Sequence, residues 1–375
     1  MNTWICDLLE IDIPIFAFSH QRDVVAAVTN AGGFGVLGAS SHGPDELEAE
    51  LAWIDEQVKG KPYGVDLVIP TTFASKGQHL SQDELAAMIP ESHRRFVEGI
   101  IESSGLDLSQ FQNLTQWGSG IQEDVPAQLL DVALRHPIKL IANALGIPPD
   151  YMIERAKGEG VPVAALVGAK EHALKQVHAG VDILVVQGTE AGGHCGEVPG
   201  LVLIPEIREA VKDVRDVPIL AAGGIVTGRQ MAAAIALGAD GVWTGSVWLT
   251  TPESEVPASV QRKMVSATSR DTTRSKGRTG KPSRQLRSPW TEAWDGPDSP
   301  GALPMPLQSF ASEPYLRRID TLAEQGDPGA LALATYWVGM GVGLIHQVRS
   351  SRQVVMDMVE DYIAAVERLD SSIKE

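Results

Sequence analysis

Short apolar runs alternate with longer amphipathic segments along most of the chain. The intervening segments, such as DVVAAVTNA and GRQMAAAIALGA, have the apolar spacing of helices. The runs lack polar alternation, which is typical of parallel strands covered by helices. Eight such runs are read as strands, at residues 13–18, 34–37, 62–69, 138–142, 162–166, 182–186, 217–221 and 241–244. Eight strand–helix units close a (β/α)₈ TIM barrel, which we predict; a doubly wound open sheet is the alternative.

Two segments interrupt this alternation. Residues 71–123 lengthen one unit well beyond a normal loop, which predicts a helical insertion or lid. Residues 262–312 are rich in Arg, Thr, Ser and Pro and are predicted as loop. The apolar stretch that follows is read as one or two C-terminal helices. We therefore predict a barrel formed by 1–260 and 313–375, with 261–312 as a loop-rich excursion on the substrate side.

Composition narrows the class of protein. The net charge of −17 argues against nucleic-acid binding, which needs a positive surface. Cys6 and Cys195 are the two cysteines, so neither a disulfide framework nor a thiolate metal cluster is expected. The acidic N-terminal segment lacks a signal-peptide pattern, and no apolar stretch is long enough to span a bilayer. We expect a cytoplasmic protein without a membrane partner or bound metal, acting on a small molecule; homo-oligomerisation stays open.

Glycines after two late strands predict a phosphate site. The strand at 217–221 continues into Gly223 and Gly224 before the next helix, and the last strand ends at Gly245 and Ser246. Glycine lets backbone N–H groups approach an anion, and TIM barrels often bind phosphate after strands seven and eight. The earlier GFGVLG run at 33–38 fits G-x-G-x-x-G but follows a helix, so it is interpreted as a helix end leading into a strand.

His194 is the strongest candidate for a catalytic base. It follows the strand at 182–186 in the sequence QGTEAGGHCG, at the end of the barrel where such enzymes place their chemistry. Gly192 and Gly193 permit a tight backbone path before it. Imidazole has a pKa near neutrality and can exchange protons or stabilise an anion. A Cys–His nucleophilic pair with Cys195 is not expected, because adjacent side chains point apart.

The sequence VVQGTEAGGHCGEV closely resembles the signature of the nitronate monooxygenase (2-nitropropane dioxygenase) family, which also includes flavin-dependent enoyl-thioester and quinone reductases. The likeness extends to NAGGFGVLGA, GVDL, AAGGI, LGADGVWTGSVWLTTPES and TGKPSR, and it covers most of residues 10–290. It implies an FMN-binding (β/α)₈ barrel.

The resemblance also implies roles for particular residues. Gly223, Gly224, Gly245 and Ser246 would hold the FMN phosphate, and His194 would be the catalytic histidine. The remaining positions implied to lie beside the flavin are Ala17, Asp66, Gln187, Gly192 and Gly193. Asp66 stands where the family often has Asn.

The chain departs from the family pattern after its first strand. Phe16 to His20 replace a run that usually contains glycine and methionine beside the flavin ring, which makes His20 a candidate substrate-side group. Its alternative interpretation is a solvent-facing histidine at a strand end. The 71–123 insertion is also unusual.

The basic segment 262–287 has two interpretations. It is rich in Lys and Arg in an otherwise acidic protein, and a solvated loop is the simpler one. In the other, Arg278, Lys281 and Arg284 dock a phosphorylated ligand such as NADPH or an acyl-CoA.

Three functions follow from these observations. The leading one is FMN-dependent oxidation of alkyl nitronates with O₂ as oxidant, with the cofactor supplying the electron chemistry. The second is NAD(P)H-dependent reduction of quinones or enoyl thioesters through the flavin. The third is a non-catalytic flavin- or phosphate-binding protein on a barrel scaffold.

Overall fold

Eight parallel strands form a closed barrel. The computed structural model describes residue 1 and residues 3–69, 81–112, 114 and 125–373. The barrel strands are β1 (Ile15–Ser19), β2 (Phe34–Gly38), β3 (Gly64–Leu67), β4 (Leu140–Asn143), β5 (Val163–Val167), β6 (Ile183–Gln187), β8 (Ile219–Ala222) and β9 (Gly241–Thr244). Pairing of β1 with β9 closes the ring, so the TIM barrel is confirmed and the open sheet is excluded.

Helices cover the outside of the barrel. These outer helices are α2 (Arg22–Asn30), α3 (Pro44–Val58), α6 (Val125–Ala133), α7 (Asp150–Gly158), α8 (Lys170–Ala179), α9 (Gly200–Lys212) and α10 (Gly228–Ala236). Strand side chains that face them are aliphatic and fully buried, as the absence of polar alternation predicted. As expected, the glycine run at 33–38 leads from the end of α2 into β2.

The strand side chains that point away from the helices fill the barrel interior. Phe16, Phe34, Leu140, Val185 and Trp243 belong to one buried interior cluster. The short helix α1 (Trp4–Leu9) contributes three buried side chains to the same cluster. Since α1 precedes β1, it closes the N-terminal end of the barrel, and the C-terminal ends of the strands are left to build a site.

A second body is formed by the insertion and most of the C-terminal third of the chain. Its helices are α4 (Gln82–Ala87), α5 (Glu91–Ser103), α11 (Ala258–Ser266), α12 (Pro289–Asp295), α13 (Leu307–Glu324) and α14 (Pro328–Leu333). All but α4 contribute to a separate apolar cluster that contains Trp290 and Trp294. The last helix, α15 (Ser351–Ser371), packs instead on the barrel, against α2 and α10. A helical insertion is confirmed by α4 and α5; residues 71–80, 113 and 115–123 of its predicted span lie outside the described residues.

The prediction of loop across 262–312 was wrong. The segment forms β10 (Thr272–Ser275) and β11 (Ser283–Leu286), which pair antiparallel, together with α12 and the ends of α11 and α13. β11 also pairs with the two-residue strand β7 (Gly193–His194), giving a three-stranded sheet beside the barrel. The strands were missed because their sequences, TTRS and SRQL, are short and polar.

The terminal helix prediction was correct only for α15. Residues 334–350 are largely irregular and contain a 3₁₀ turn at Met340–Leu344. Glycines in this stretch lie against backbone of the barrel loops: a Cβ on Gly341 would come within 2.5 Å of the Gly224 carbonyl oxygen. Close backbone contact has replaced helical packing here. Among the described helices, none combines the length and apolar character needed to cross a bilayer.

Candidate active site

The C-terminal ends of the barrel strands bring most of the predicted site residues to one mouth. Gln187 ends β6 and His194 lies in the loop after it, while Gly223 follows β8 and Gly245 follows β9. Parallel strands present their carboxyl ends at the same side of a barrel, so these loops are neighbours. The mouth therefore joins the histidine loop to the predicted phosphate turns.

The turn after β8 is held in a conformation that requires glycine. Gly223 has a φ of 107°, which side chains rarely adopt, and its Cβ would lie 3.1 Å from the Gly188 carbonyl oxygen. Gln230 fixes the turn: its amide donates to the Gly224 carbonyl at 2.8 Å, and its Oε1 accepts the Val226 N–H at 2.9 Å. The turn is partly solvent accessible and stands before the N-terminus of α10, as a phosphate cradle requires.

A C-terminal segment with glycines at positions 339, 341 and 343 forms one wall of this mouth. The Gly339 N–H donates to Ser246 Oγ at 2.8 Å, and the Met340 N–H donates to the Glu190 carbonyl at 2.8 Å. The Glu190 carboxylate in turn accepts the Gly200 N–H at the start of α9. The histidine loop and the turn after β9 are thus joined through residues 339–340, whose glycine spacing was the one available signal.

His194 is held from two sides. Its backbone pairs with Ser283 in the β7–β11 ladder, after Gly193 with a φ of 69°. Its Nε2 lies 2.8 Å from Oγ1 of Thr279, a residue that sequence reasoning did not single out. Loss of solvation and, next, the Lys281 ammonium lower the pKa of His194 to about 4. The imidazole is therefore neutral at physiological pH.

Asp66 is a buried acid with no partner. It lies on β3 among the interior-facing positions, since its neighbours Val65 and Leu67 face the helices. The residue is 2% exposed, and neither carboxylate oxygen has a hydrogen-bond partner within the described part of the chain. Burial raises the pKa of Asp66 to about 8, which keeps the carboxyl neutral near pH 7. A neutral acid near the open end of a barrel is suited to meet the polar ring edge of a flavin.

Two residues at the end of the first strand were predicted to line the site: Ala17 beside the flavin and His20 on the substrate side. Ala17 is fully buried in the layer between strands and helices, so its side chain does not face the barrel interior; its place beside the flavin stays a prediction. His20 follows β1 at the mouth and is solvent exposed, with Nδ1 2.8 Å from the Gly38 carbonyl oxygen.

Of the three predicted docking cations, two are held by the protein itself. Arg278 is 4% exposed and forms a bidentate pair with Glu313, and Arg284 donates from Nε to the Thr189 carbonyl at 3.1 Å. The prediction for Arg278 was wrong, because its guanidinium is buried against Glu313. Arg284 also donates from Nη1 to Thr272 Oγ1 at 3.2 Å, and a docking role for it stays a prediction. Lys281 is exposed and close enough to lower the pKa of His194. It remains a substrate-side candidate.

The neighbouring cysteine makes no pair with the histidine. Cys195 is a free thiol whose Sγ lies 3.5 Å from the Thr189 carbonyl oxygen, and burial raises its pKa. Within the described residues, no cluster of three or more His, Cys, Asp or Glu side chains has the arrangement of a metal site.

Glycine turns and a neutral histidine lie at one mouth of the closed barrel, and comparison with known proteins identifies the class as flavin-dependent oxidoreductase. The family model described as nitronate monooxygenase matches residues 3–361, and the chain belongs to the nitronate monooxygenase family. It is 51% identical over 380 residues, covering all of both chains, to Rv1533 of Mycobacterium tuberculosis, whose name gives it a provisional monooxygenase assignment.

Three more distant relatives are also similar to this chain. A probable nitronate monooxygenase of Staphylococcus saprophyticus is 27% identical over 77% of this chain and 79% of its own. Nitroalkane oxidase from Streptomyces ansochromogenes is 25% identical, with a TM-score of 0.79 over 97% of this chain and 99% of its own. FabK from Thermotoga maritima, also 25% identical, has a TM-score of 0.71 over 99% of both chains.

Proposed function

We propose that this protein is an FMN-dependent nitronate monooxygenase that oxidises alkyl nitronates with O₂. The observation that carries the proposal is the neutral imidazole of His194 beside the glycine turns after β8 and β9. Family membership and the likeness to a nitroalkane oxidase support it. When bound, FMN would supply the electron chemistry.

The residues present fit an FMN group. Backbone N–H groups at Gly223, Gly224 and Gly245, with the Ser246 hydroxyl, would hold the phosphate. Asp66 carries two buried oxygens without partners, which is the kind of unsatisfied group that a bound ring would complete. Gln187, partly exposed at the end of β6, would lie along the ring.

The protein's own residues then have distinct tasks toward the substrate. The Lys281 ammonium would draw the anionic nitronate to the mouth. His194, neutral and hydrogen-bonded through Nε2, would remove the Cα proton of a neutral nitroalkane or contact the nitronate anion. Thr279 and the β7–β11 ladder would keep the imidazole in place during this exchange.

Anaerobic mixing of the FMN-loaded protein with ethylnitronate tests the proposal. The absorbance of oxidised flavin should bleach on mixing and return when O₂ is admitted. A flavin spectrum that ethylnitronate leaves unchanged would rule out this activity.

A second candidate is NAD(P)H-dependent reduction of a quinone or enoyl thioester, favoured by the exposed Lys281 next to His194. An ammonium at this place can bind a phosphate of the nucleotide or of a thioester carrier. Anaerobic addition of NADH and, separately, NADPH distinguishes the two. Fast flavin reduction by either nucleotide, without turnover of nitronate, would favour this reaction.

A further inference from the structure

The hydroxyl of Thr279 makes three polar contacts, and together they use all of its hydrogen-bonding capacity. Oγ1 lies 2.8 Å from His194 Nε2, 3.2 Å from the Lys281 carbonyl oxygen and 3.4 Å from the Lys281 backbone nitrogen. A hydroxyl has one proton to donate and two lone pairs to accept with. The Lys281 carbonyl can only accept, and the Lys281 N–H can only donate.

These restrictions decide the role of the imidazole. If the Thr279 proton goes to the Lys281 carbonyl, one Thr279 lone pair accepts from the Lys281 N–H and the other is left for His194. Nε2 of His194 must then carry the proton and donate it to Oγ1. In the neutral ring the second nitrogen, Nδ1, is therefore unprotonated, and it has no hydrogen-bond partner among the residues that the structure describes.

Thr279 is itself rigidly placed. It is 5% exposed, in the turn between β10 and β11. The Gly277 carbonyl in that turn accepts from Gln308 Nε2 at 3.0 Å and from Ser312 Oγ at 2.8 Å, both on α13. The same β11 strand pairs with the backbone of His194. Backbone and Nε2 of the histidine are thus fixed by one substructure, while Nδ1 is left without a hydrogen-bond partner among the described residues.

We propose that Thr279 is a positioning residue that holds His194 in the Nε2–H tautomer and thereby makes Nδ1 the proton-accepting atom. This rests on the proposed function. In the step, the substrate Cα–H bond breaks and the proton forms a bond to Nδ1. The electron pair of the broken Cα–H bond stays in the substrate and is delocalised into the nitro group, which gives the nitronate. The imidazole becomes an imidazolium, and no electrons leave the substrate.

The first test reads the tautomer and needs no turnover. Protein labelled with ¹⁵N-histidine, above the pH range in which His194 is charged, should show Nε2 as the protonated nitrogen and Nδ1 as the unprotonated one. Thr279→Val keeps the shape of the side chain but removes the hydroxyl, so the preference should weaken, and Thr279→Ser should restore it. Thr273→Val, on the neighbouring strand β10, is the matched control and should resemble the unchanged protein.

The second test compares two substrates. Ethylnitronate arrives already deprotonated, whereas nitroethane must lose its Cα proton. In Thr279→Val the ratio of kcat/KM for nitroethane to that for ethylnitronate should fall roughly tenfold, the scale of losing one well-placed hydrogen bond. Thr279→Ser should recover most of the ratio, and Thr273→Val should leave it unchanged.

The two tests separate failure of the inference from failure of the proposed function. An Nδ1–H tautomer in the unchanged protein would overturn the role of Thr279, even if Thr279→Val proves too unstable to study. A Thr279→Val ratio equal to that of the unchanged protein would overturn it as well. Absence of nitronate oxidation with the Nε2–H tautomer present would instead reject the proposed function and keep the positioning role.

Discussion

Arg278 and Glu313 form a bidentate ion pair in the interior of the second body. Nε of Arg278 lies 2.6 Å from Glu313 Oε1, and Nη2 of Arg278 lies 3.1 Å from Glu313 Oε2. The two side chains are 5% and 4% exposed, and the Arg278 guanidinium stacks 3.6 Å from the centre of the Trp337 ring. The arginine thus joins β10–β11 to α13 and stabilises the substructure that positions His194.

Breaking this pair from one side should destabilise the protein strongly. Glu313→Ala leaves a buried guanidinium without its partner, and we expect a loss of about 3–5 kcal/mol in the free energy of unfolding. The double variant Arg278→Met/Glu313→Leu removes both charges and should recover most of that loss. Urea unfolding of the three proteins checks the order. Unchanged stability of Glu313→Ala, together with a raised KM for NADPH, would return Arg278 to the docking role.

Asp66 should make the flavin-free protein less stable as the pH rises. The pKa of this buried acid is raised from 3.8 to about 8. Between these values the native state keeps a proton that the unfolded chain has lost, so the free energy of unfolding decreases by at most about 1.4 kcal/mol per pH unit. This decrease in the free energy of unfolding is absent below pH 4 and is complete above pH 8.

Asp66→Asn should remove this pH dependence. The variant is expected to match the unchanged protein near pH 4 and to become progressively more stable than it toward pH 8. Urea unfolding of flavin-free protein across this range gives the comparison, with the exposed Asp298→Asn as control. Parallel stability profiles for the Asp66→Asn variant and the unchanged protein would contradict the assignment of a buried, protonated acid.

The barrel could be predicted from sequence because each of its strands is a short apolar run with a helix after it. The three-stranded sheet could not, because TTRS and SRQL are polar and β7 contains two residues. Their pairing depends on tertiary contacts that no local pattern encodes. Arg278 looked like a docking cation since Glu313 lies 35 residues further along the chain, a separation at which charge patterning carries no signal.

The candidate site, too, could be predicted only where a local sequence pattern carried the signal. The sequence around His194 indicated the loop and its glycines, but the partner of the imidazole, Thr279, is 85 residues away. The pKa of His194 likewise depends on burial and on Lys281, neither of which is visible near position 194. Residues that act through contacts across the barrel mouth can be identified only from the structure.

Removal of the Lys281 charge should raise the pKa of His194. Burial is the larger cause of its low pKa and remains, so the value should rise from about 4 but stay below 6.5. Lys281→Met keeps the side-chain length, and Lys276→Met, exposed on the same turn, is the matched control. Titration of the His194 Cε1–H resonance by NMR measures the pKa of His194 in both variants. The acid limb of kcat/KM should move to higher pH in Lys281→Met, and a fall in the pKa would contradict this role of the ammonium.

Gly339 should be required for binding of the proposed cofactor, because its backbone lies against the histidine loop. A Cβ there would meet the Glu190 carbonyl oxygen at 2.6 Å and the Gly192 nitrogen at 3.0 Å, and both are backbone atoms that cannot rotate away. Gly339→Ala must therefore separate residues 339–340 from the histidine loop and from Ser246.

We expect Gly339→Ala to weaken FMN binding at least tenfold and to cost roughly 1–3 kcal/mol of stability, the usual range for overpacking. Gly99→Ala is the matched control, since that glycine lies exposed in α5 with open space where its Cβ would be. It should leave FMN affinity unchanged and stabilise the helix by up to about 1 kcal/mol. Quenching of flavin fluorescence on titration gives the affinity. Equal FMN affinity in the two alanine variants would show that the 339–340 wall does not support the phosphate turn.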